Sequence, residues 1–241
     1  MNAPFSHSRL KLTRAEQHVE NIAQIIDAYT KLEPQYSVEQ TFGNYVHFEI
    51  YRTFAPPVLL PTIVGDAIHN LRTSLDVMAC EVVRQNKKND KGVYFPFADS
   101  PELLDGAIKR KNMDRTSKEA VDLIRELKPY RGGNTALRAV HDLDIQDKHT
   151  GIILQISQLS TQGVGIGMDD RKTGKLSSGS SLIREGVIAR NGKSPIPVKF
   201  NFHHLSDFAD QEIVQTLHGL TKEFRRIVDS FEFCCLGTIS K

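Results

Sequence analysis

Gly65-Asp66-Ala67-Ile68-His69-Asn70-Leu71-Arg72-Thr73-Ser74-Leu75-Asp76 is the most organised stretch of the chain. On a wheel of about 100° per residue, Val64, Ile68, Leu71, Leu75, Met78 and Val82 share one apolar face. The segment is therefore expected to be an amphipathic helix with that face in the core. His69, Arg72 and Asp76 fall on a second stripe, with Asp66 and Asn70 further round. Arg72 and Asp76 are placed for an intrahelical ion pair, and His69 lies one turn before Arg72. The same stripe continues into Cys80 and Val83, which suits a face packed against another element.

Working outward, Pro61 is suited to the first turn of this helix, where its missing N–H goes unused. Upstream, Tyr36 and Val38, then Tyr45, Phe48, Ile50 and Tyr51, flank Gly43-Asn44 and read as two strands joined by a tight turn. Before them, from Ser8 to Leu32, Leu12, Ala15, Val19, Ile22, Ala23, Ile26 and Tyr29 have helical spacing, and Thr13 with Glu16 offers a capping box as an alternative, later start. Downstream, Tyr94-Phe95-Pro96-Phe97 reads as a short extended piece held by its rings. Helices are then expected from Ser100-Pro101-Glu102, over 117–127, and from Asn134 to about Lys148.

Past Gly151 the runs 152–159, 164–168, 182–189 and 196–202 are β-rich, and Ser206 is expected to cap a last long helix. That helix carries a stripe of Phe208, Ile213, Val214, Leu217, Leu220, Phe224, Ile227, Val228 and Phe231. The predicted fold class is α+β, a helical layer of N-terminal, central and long C-terminal helices against a mainly antiparallel sheet. One domain over 1–241 is expected, subdividing into a mainly helical part with a hairpin, 1–150, and a β-rich part ending in a helix, 151–241.

A second polar cluster, His141-Asp142-Leu143-Asp144-Ile145-Gln146-Asp147-Lys148-His149, has two histidines, three carboxylates and a lysine in nine residues. Imidazoles and carboxylates can ligate a metal, and a His–Asp pair can move protons near neutral pH. In the last turn of a helix, Lys148 and His149 also meet the negative end of the helix dipole. The candidate site residues are thus His69, Arg72, Asp76, Asp147, Lys148 and His149. Of His203 and His204, strand alternation lets at most one face either cluster.

A chain of 241 residues, 39% hydrophobic, can bury a core. With 31 basic against 29 acidic residues and a net charge of +2, it has no overall field that signals nucleic-acid or membrane binding. The longest apolar stretch, Val58 to Val64, is interrupted by Pro61 and too short to span a bilayer. Three cysteines, Cys80, Cys234 and Cys235, without C-x-x-C spacing, and a start without a charged-then-apolar leader suggest a reduced, cytoplasmic protein. Gly163, Gly165 and Gly167 lack the following helix of a nucleotide fingerprint, and there is no nucleophile elbow, P-loop or zinc motif, so no cofactor is expected.

The 65–76 helix resembles the G-D-x-x-H-N-L-R-S-x-L-D-H helix of an uncharacterised bacterial and phage family, and Asp144-Ile145-Gln146-Asp147-Lys148-His149 resembles its N-x-D-K-H-R segment. The order of elements between them, including Phe95-Pro96 and Leu127-Lys128-Pro129-Tyr130, is also similar, over about Ser8 to Leu154. Val77 stands where that family often has histidine, and Thr150 where it often has arginine. The resemblance implies that the two motifs belong together; it implies no reaction. HEPN-type helical bundles, many of them ribonucleases with an R-x4-6-H element, are the nearest functional analogy. Arg14 and His18 are one residue too close for that element, and Arg138 is too near His141 and too far from His149.

Three functions are compatible with these residues. The first is a binding or regulatory module in which the 65–76 helix and the 144–149 segment form a buried ionic network, with Arg72 and Asp147 as its test pair. The second is a hydrolase or nuclease with His69 or His149 as acid/base and Arg72 or Lys148 stabilising developing negative charge. The third is metal binding by His69, Asp76, Asp144, Asp147 and His149. The first is preferred, because the motif residues are mostly those that pair with each other. The partner is left open, and a homodimer is compatible with the sequence.

Overall fold

The structure, a computed structural model, describes residues 3–32, 35–42, 45–51, 57–152, 154–158, 198–202, 208–209 and 211–237. In chain order the elements are α1 (Ser6–Thr30), β1 (Gln35–Phe42), β2 (Tyr45–Tyr51), α2 (Leu60–Gln85), α3 (Leu104–Arg110), α4 (Lys118–Leu127), α5 (Thr135–Thr150), β3 (Leu154–Gln158), β4 (Val198–Phe202) and α6 (Ile213–Leu236). They form two compact units: Met1–Ala23, Leu59–Leu154 and Phe202–Lys241 in one, Gln24–Val58 and Gln155–Asn201 in the other.

The first unit is built on α2. Pro61 lies in its first turn, and the six residues of its apolar face, Val64, Ile68, Leu71, Leu75, Met78 and Val82, are each at most 1% exposed. Such a face is satisfied by neighbouring helices, and α2 packs on both α5 and α6. On α6 the expected stripe from Ile213 to Phe231 is buried except for Val214, which is half-buried. The cap of α6 is Glu212, whose carboxylate accepts the N–H groups of Val214 and Gln215 at 3.2 and 2.8 Å. Ser206, expected in that role, lies outside the described residues.

α1 begins at Ser6, close to the Ser8 end of the helical pattern and about two turns before the alternative start at the Thr13–Glu16 pair. A distant carboxylate makes that earlier start workable. Glu81 of α2, 6% exposed, accepts the N–H groups of His7 and Ser8 at 3.1 and 3.4 Å. The next residue, Arg9, pairs with Asp229 and Glu232 of α6 at 2.6 and 2.5 Å. Among the helices in between, Ser117 caps α4 through Ala120 N–H and Asn134 caps α5 through Leu137 N–H, at 3.2 and 3.0 Å. The Asn134 amide also donates to Glu223 on α6 at 3.0 Å. Asn134→Ala removes both contacts and is expected to destabilise by about 1 kcal/mol. A lower urea midpoint at unchanged m-value is the measurement that checks it.

The expected α+β fold, with helices layered on a mainly antiparallel sheet, is overturned: the described residues are mostly helical. Among the described residues the strands form two separate two-stranded ladders, β1–β2 and β3–β4. The hairpin is antiparallel as anticipated, running from Gln35↔Tyr51 to Phe42↔Tyr45 with a bulge between Val38 and Gln40. Of the β-rich runs past Gly151, the first and last give β3 and β4, while 164–168 and 182–189 lie outside the described residues. Two-stranded ladders are too small to bury a helical layer. The apolar faces with helical spacing close on each other instead, which is why a helix-on-helix core forms. In the second unit, Tyr29 meets Phe200 edge to face with ring centres 5.5 Å apart. No helix of the described residues is long and apolar enough to cross a membrane.

Candidate functional site

Along α2 the positions 65, 69 and 72, a glycine and two polar residues, advance by a turn at a time, and along α5 the positions 147, 144 and 141 do the same in reverse. The two helices pack in that antiparallel register, so Gly65 faces Asp147, His69 faces Asp144 and Arg72 faces His141. Each facing pair forms one rung of a polar seam.

At the first rung the Asp147 carboxylate takes the space a side chain at 65 would need. A Cβ on Gly65 would stand 2.5 Å from Asp147 Oδ2 and 2.6 Å from its Cγ and Oδ1. Burial, followed by the charges of Asp66 and Asp144, pushes the Asp147 carboxyl above its usual value. His69 and a hydrogen bond from the Ile152 backbone act in the opposite direction.

At the second rung His69 Nδ1 lies 2.8 Å from Asp144 Oδ1, and Lys148 Nζ donates to Asp144 Oδ2 at 2.5 Å. The Asp144 side chain is 5% exposed while those of His69 and Lys148 are 47% and 53% exposed, so a buried carboxylate is held by two half-exposed partners. His69 Nε2 lies 3.3 Å from the Thr73 hydroxyl on the same helix.

The third rung is the most enclosed. Arg72 Nε donates to His141 Nδ1 at 3.2 Å, and its guanidinium carbon sits 4.6 Å from the centre of the Phe97 ring. Phe97 in turn stacks on His141, with ring centres 4.2 Å apart and planes 4° from parallel. Arg72 Nη1 approaches Asp76 Oδ1 to 2.7 Å as an ionic contact without hydrogen-bond alignment. That Asp76 oxygen also accepts the Phe95 N–H at 2.9 Å. Asp76 therefore ties α2 to the 95–97 segment while Arg72 ties it to α5. Beside this rung, Arg138 holds Asp142 through two bonds of 3.0 and 2.8 Å and donates to the Ala98 carbonyl at 2.9 Å.

Because His141 Nδ1 accepts from Arg72, its imidazole is neutral with the proton on Nε2. Burial first, then the charges of Arg72 and Arg138, hold its pKa down at about 4, against 6.5 for an ordinary histidine, with Asp142 and Asp144 opposing. The unfolded chain takes up this proton before the folded one does. Stability from neutral His141 is thus complete above pH 6.5 and is lost as pH falls toward about 4. Melting temperature across that window is expected to fall with pH in the parent, and to fall less in His141→Gln, which keeps an acceptor but does not titrate.

Of the residues singled out in the sequence, His69, Arg72, Asp76, Asp147 and Lys148 belong to the seam, and His149 is exposed in the last turn of α5. Arg72 has other partners than the Asp147 expected for it. The register places Asp147 at Gly65, seven positions and roughly 10 Å of helix away from Arg72. His141 and Asp144 are more central than anticipated. Their signal was the spacing of His141, Asp144 and Lys148, which repeats that of His69, Arg72 and Asp76. Nothing local in the sequence marked Phe97 as the surface on which Arg72 rests. His203, His204 and the Gly163–Gly167 run lie outside the described residues. Among the described residues no three His, Cys, Asp or Glu side chains gather as a metal site, and the three cysteines are free and half-buried.

Comparison with known proteins returns no match: no family model, no curated protein and no solved structure matches the chain.

Proposed function

We propose that this chain is a binding or regulatory module in which the α2–α5 seam is a structural lock. One observation carries this reading. Arg72, the cation best placed to stabilise a developing negative charge, is 8% exposed and already engaged by His141, Asp76 and the Phe97 ring. A guanidinium so enclosed holds elements together and has little reach toward a substrate. The resemblance to an uncharacterised family agrees with a paired function for the two motifs. It also bears against a HEPN-like nuclease: with four, five or six residues intervening after Arg72 the chain has Val77, Met78 and Ala79, none of which carries an imidazole.

A second reading rests on His69. Its imidazole is half-exposed, with Nδ1 on a buried carboxylate, and that arrangement suits a general base acting through Nε2. One experiment separates the two. Purified protein is incubated with single-stranded RNA and with a chromogenic ester, alongside His69→Ala. The lock predicts no turnover that depends on His69. Turnover that His69→Ala abolishes at unchanged melting temperature would establish the acid/base reading instead.

A further inference from the structure

The first unit has a second surface feature, built from residues the seam does not use. Between α4 and α6 runs an open groove of about 830 Å³. Its floor is apolar: Leu123 from α4, with Phe233 and Cys234 from α6. Phe233 is 59% exposed and Leu236, beside it on α6, is 37% exposed, although the same helix buries its other phenylalanines and leucines. An exposed phenylalanine in a depression is a feature of a contact surface.

The edges of the groove are mainly acidic. Glu119, Asp122 and Glu126 are spaced by three and four residues, so they form a stripe along α4, and Asp229 adds a carboxylate on α6. Arg226 is the single cation among the lining residues. Asp122 shares Arg125 at 2.8 Å and Asp229 shares Arg9 at 2.6 Å, whereas Glu119 and Glu126 make no ion pair among the described residues. The stripe therefore keeps unneutralised negative charge on one side of an apolar floor.

We propose that this groove docks a cationic amphipathic helix of another protein, with its apolar stripe on Leu123 and Phe233 and its Lys or Arg side chains along the Glu119–Glu126 edge. Charge complementarity selects this occupant. A second copy of the chain bound through the same face would set acidic stripe against acidic stripe, an arrangement that like charges oppose. A helix laid between two helices is a recurrent mode of peptide recognition, and α4, about 15 Å long, matches some three turns of such a ligand. The inference is independent of the lock, since no seam residue lines the groove.

The test uses the full chain and two fluorescent model peptides, one of leucine and lysine with leucines at helical spacing, the other with glutamate in place of lysine. The leucine/lysine peptide is expected to bind saturably, more weakly with added salt, and at least about tenfold more weakly to Glu119→Lys/Glu126→Lys and to Phe233→Ser. The glutamate peptide is expected not to saturate. These positions are exposed, and unchanged melting curves check that each variant is folded. Equal affinity for parent and variants, or no saturable binding of the cationic peptide, overturns the proposal. A dimer in light scattering that Phe233→Ser dissolves also overturns it, and assigns the face to a second copy.

Discussion

Arg72→Ala is expected to destabilise the protein by roughly 3 kcal/mol, the low end of what is seen when one partner is removed from a buried ion pair. For a chain of this size that corresponds to a fall in melting temperature of roughly 6–12 °C. The low end applies because Asp76, which loses its cation, is 26% exposed and keeps the Phe95 N–H. Much of the loss comes from packing, since the guanidinium lies over the Phe97 ring and its removal leaves His141 without its donor. Arg72→Lys tests that division. A lysine keeps the charge beside Asp76 and loses both the planar contact with Phe97 and the Nε hydrogen bond, so an intermediate loss is expected. Removing Arg72 also removes one of the charges that depress the His141 pKa, so that pKa is expected to rise in Arg72→Ala, read by NMR titration of the imidazole. If Arg72→Ala melts like the parent, the seam is not a lock.

How far these features were legible before the structure depends on the distance over which each is decided. The apolar face of α2, its proline start and the Arg72–Asp76 contact are set within a few turns of one helix, and periodicity is enough to read them. The capping role of Asn134 is equally local. The capping box at Thr13 is not the start of α1, because the first N–H groups of the helix are accepted by Glu81, more than seventy positions along the chain. The fold class failed for a related reason. Short runs of β-forming residues show that a strand can form, but the number of neighbours a strand acquires is a tertiary outcome, and among the described residues each strand has one. The partner of Arg72 was misassigned because spacing defines a stripe on α5 without defining its direction of travel. Antiparallel packing puts His141 where a reading of the two motifs alone put Asp147.

The Gly65–Asp147 contact is the sharpest test of that register. A glycine inside a helix costs about 1 kcal/mol relative to alanine, so Gly65→Ala would stabilise α2 if nothing else occupied the space. A Cβ 2.5–2.6 Å from three atoms of the Asp147 carboxyl group cannot be accommodated without movement. Either the carboxylate swings away from its hydrogen bond with the Ile152 backbone, or α2 and α5 separate and lengthen the rungs at His69 and Arg72. Overpacking of this kind costs roughly 1–3 kcal/mol, so Gly65→Ala alone is expected to destabilise in spite of the helix preference. Asp147→Ala alone is expected to have a small effect, because its carboxylate is disfavoured by burial and by Asp66 and Asp144. In the Asp147→Ala background the obstruction is gone, and Gly65→Ala is expected to change sign and stabilise. The two substitutions should therefore show a coupling of roughly 2 kcal/mol in a double-mutant cycle read by urea denaturation, within the range for residues in contact. Additivity of the two would show that Asp147 does not lie on Gly65, and with that the register joining His69 to Asp144 and Arg72 to His141 would fail as well.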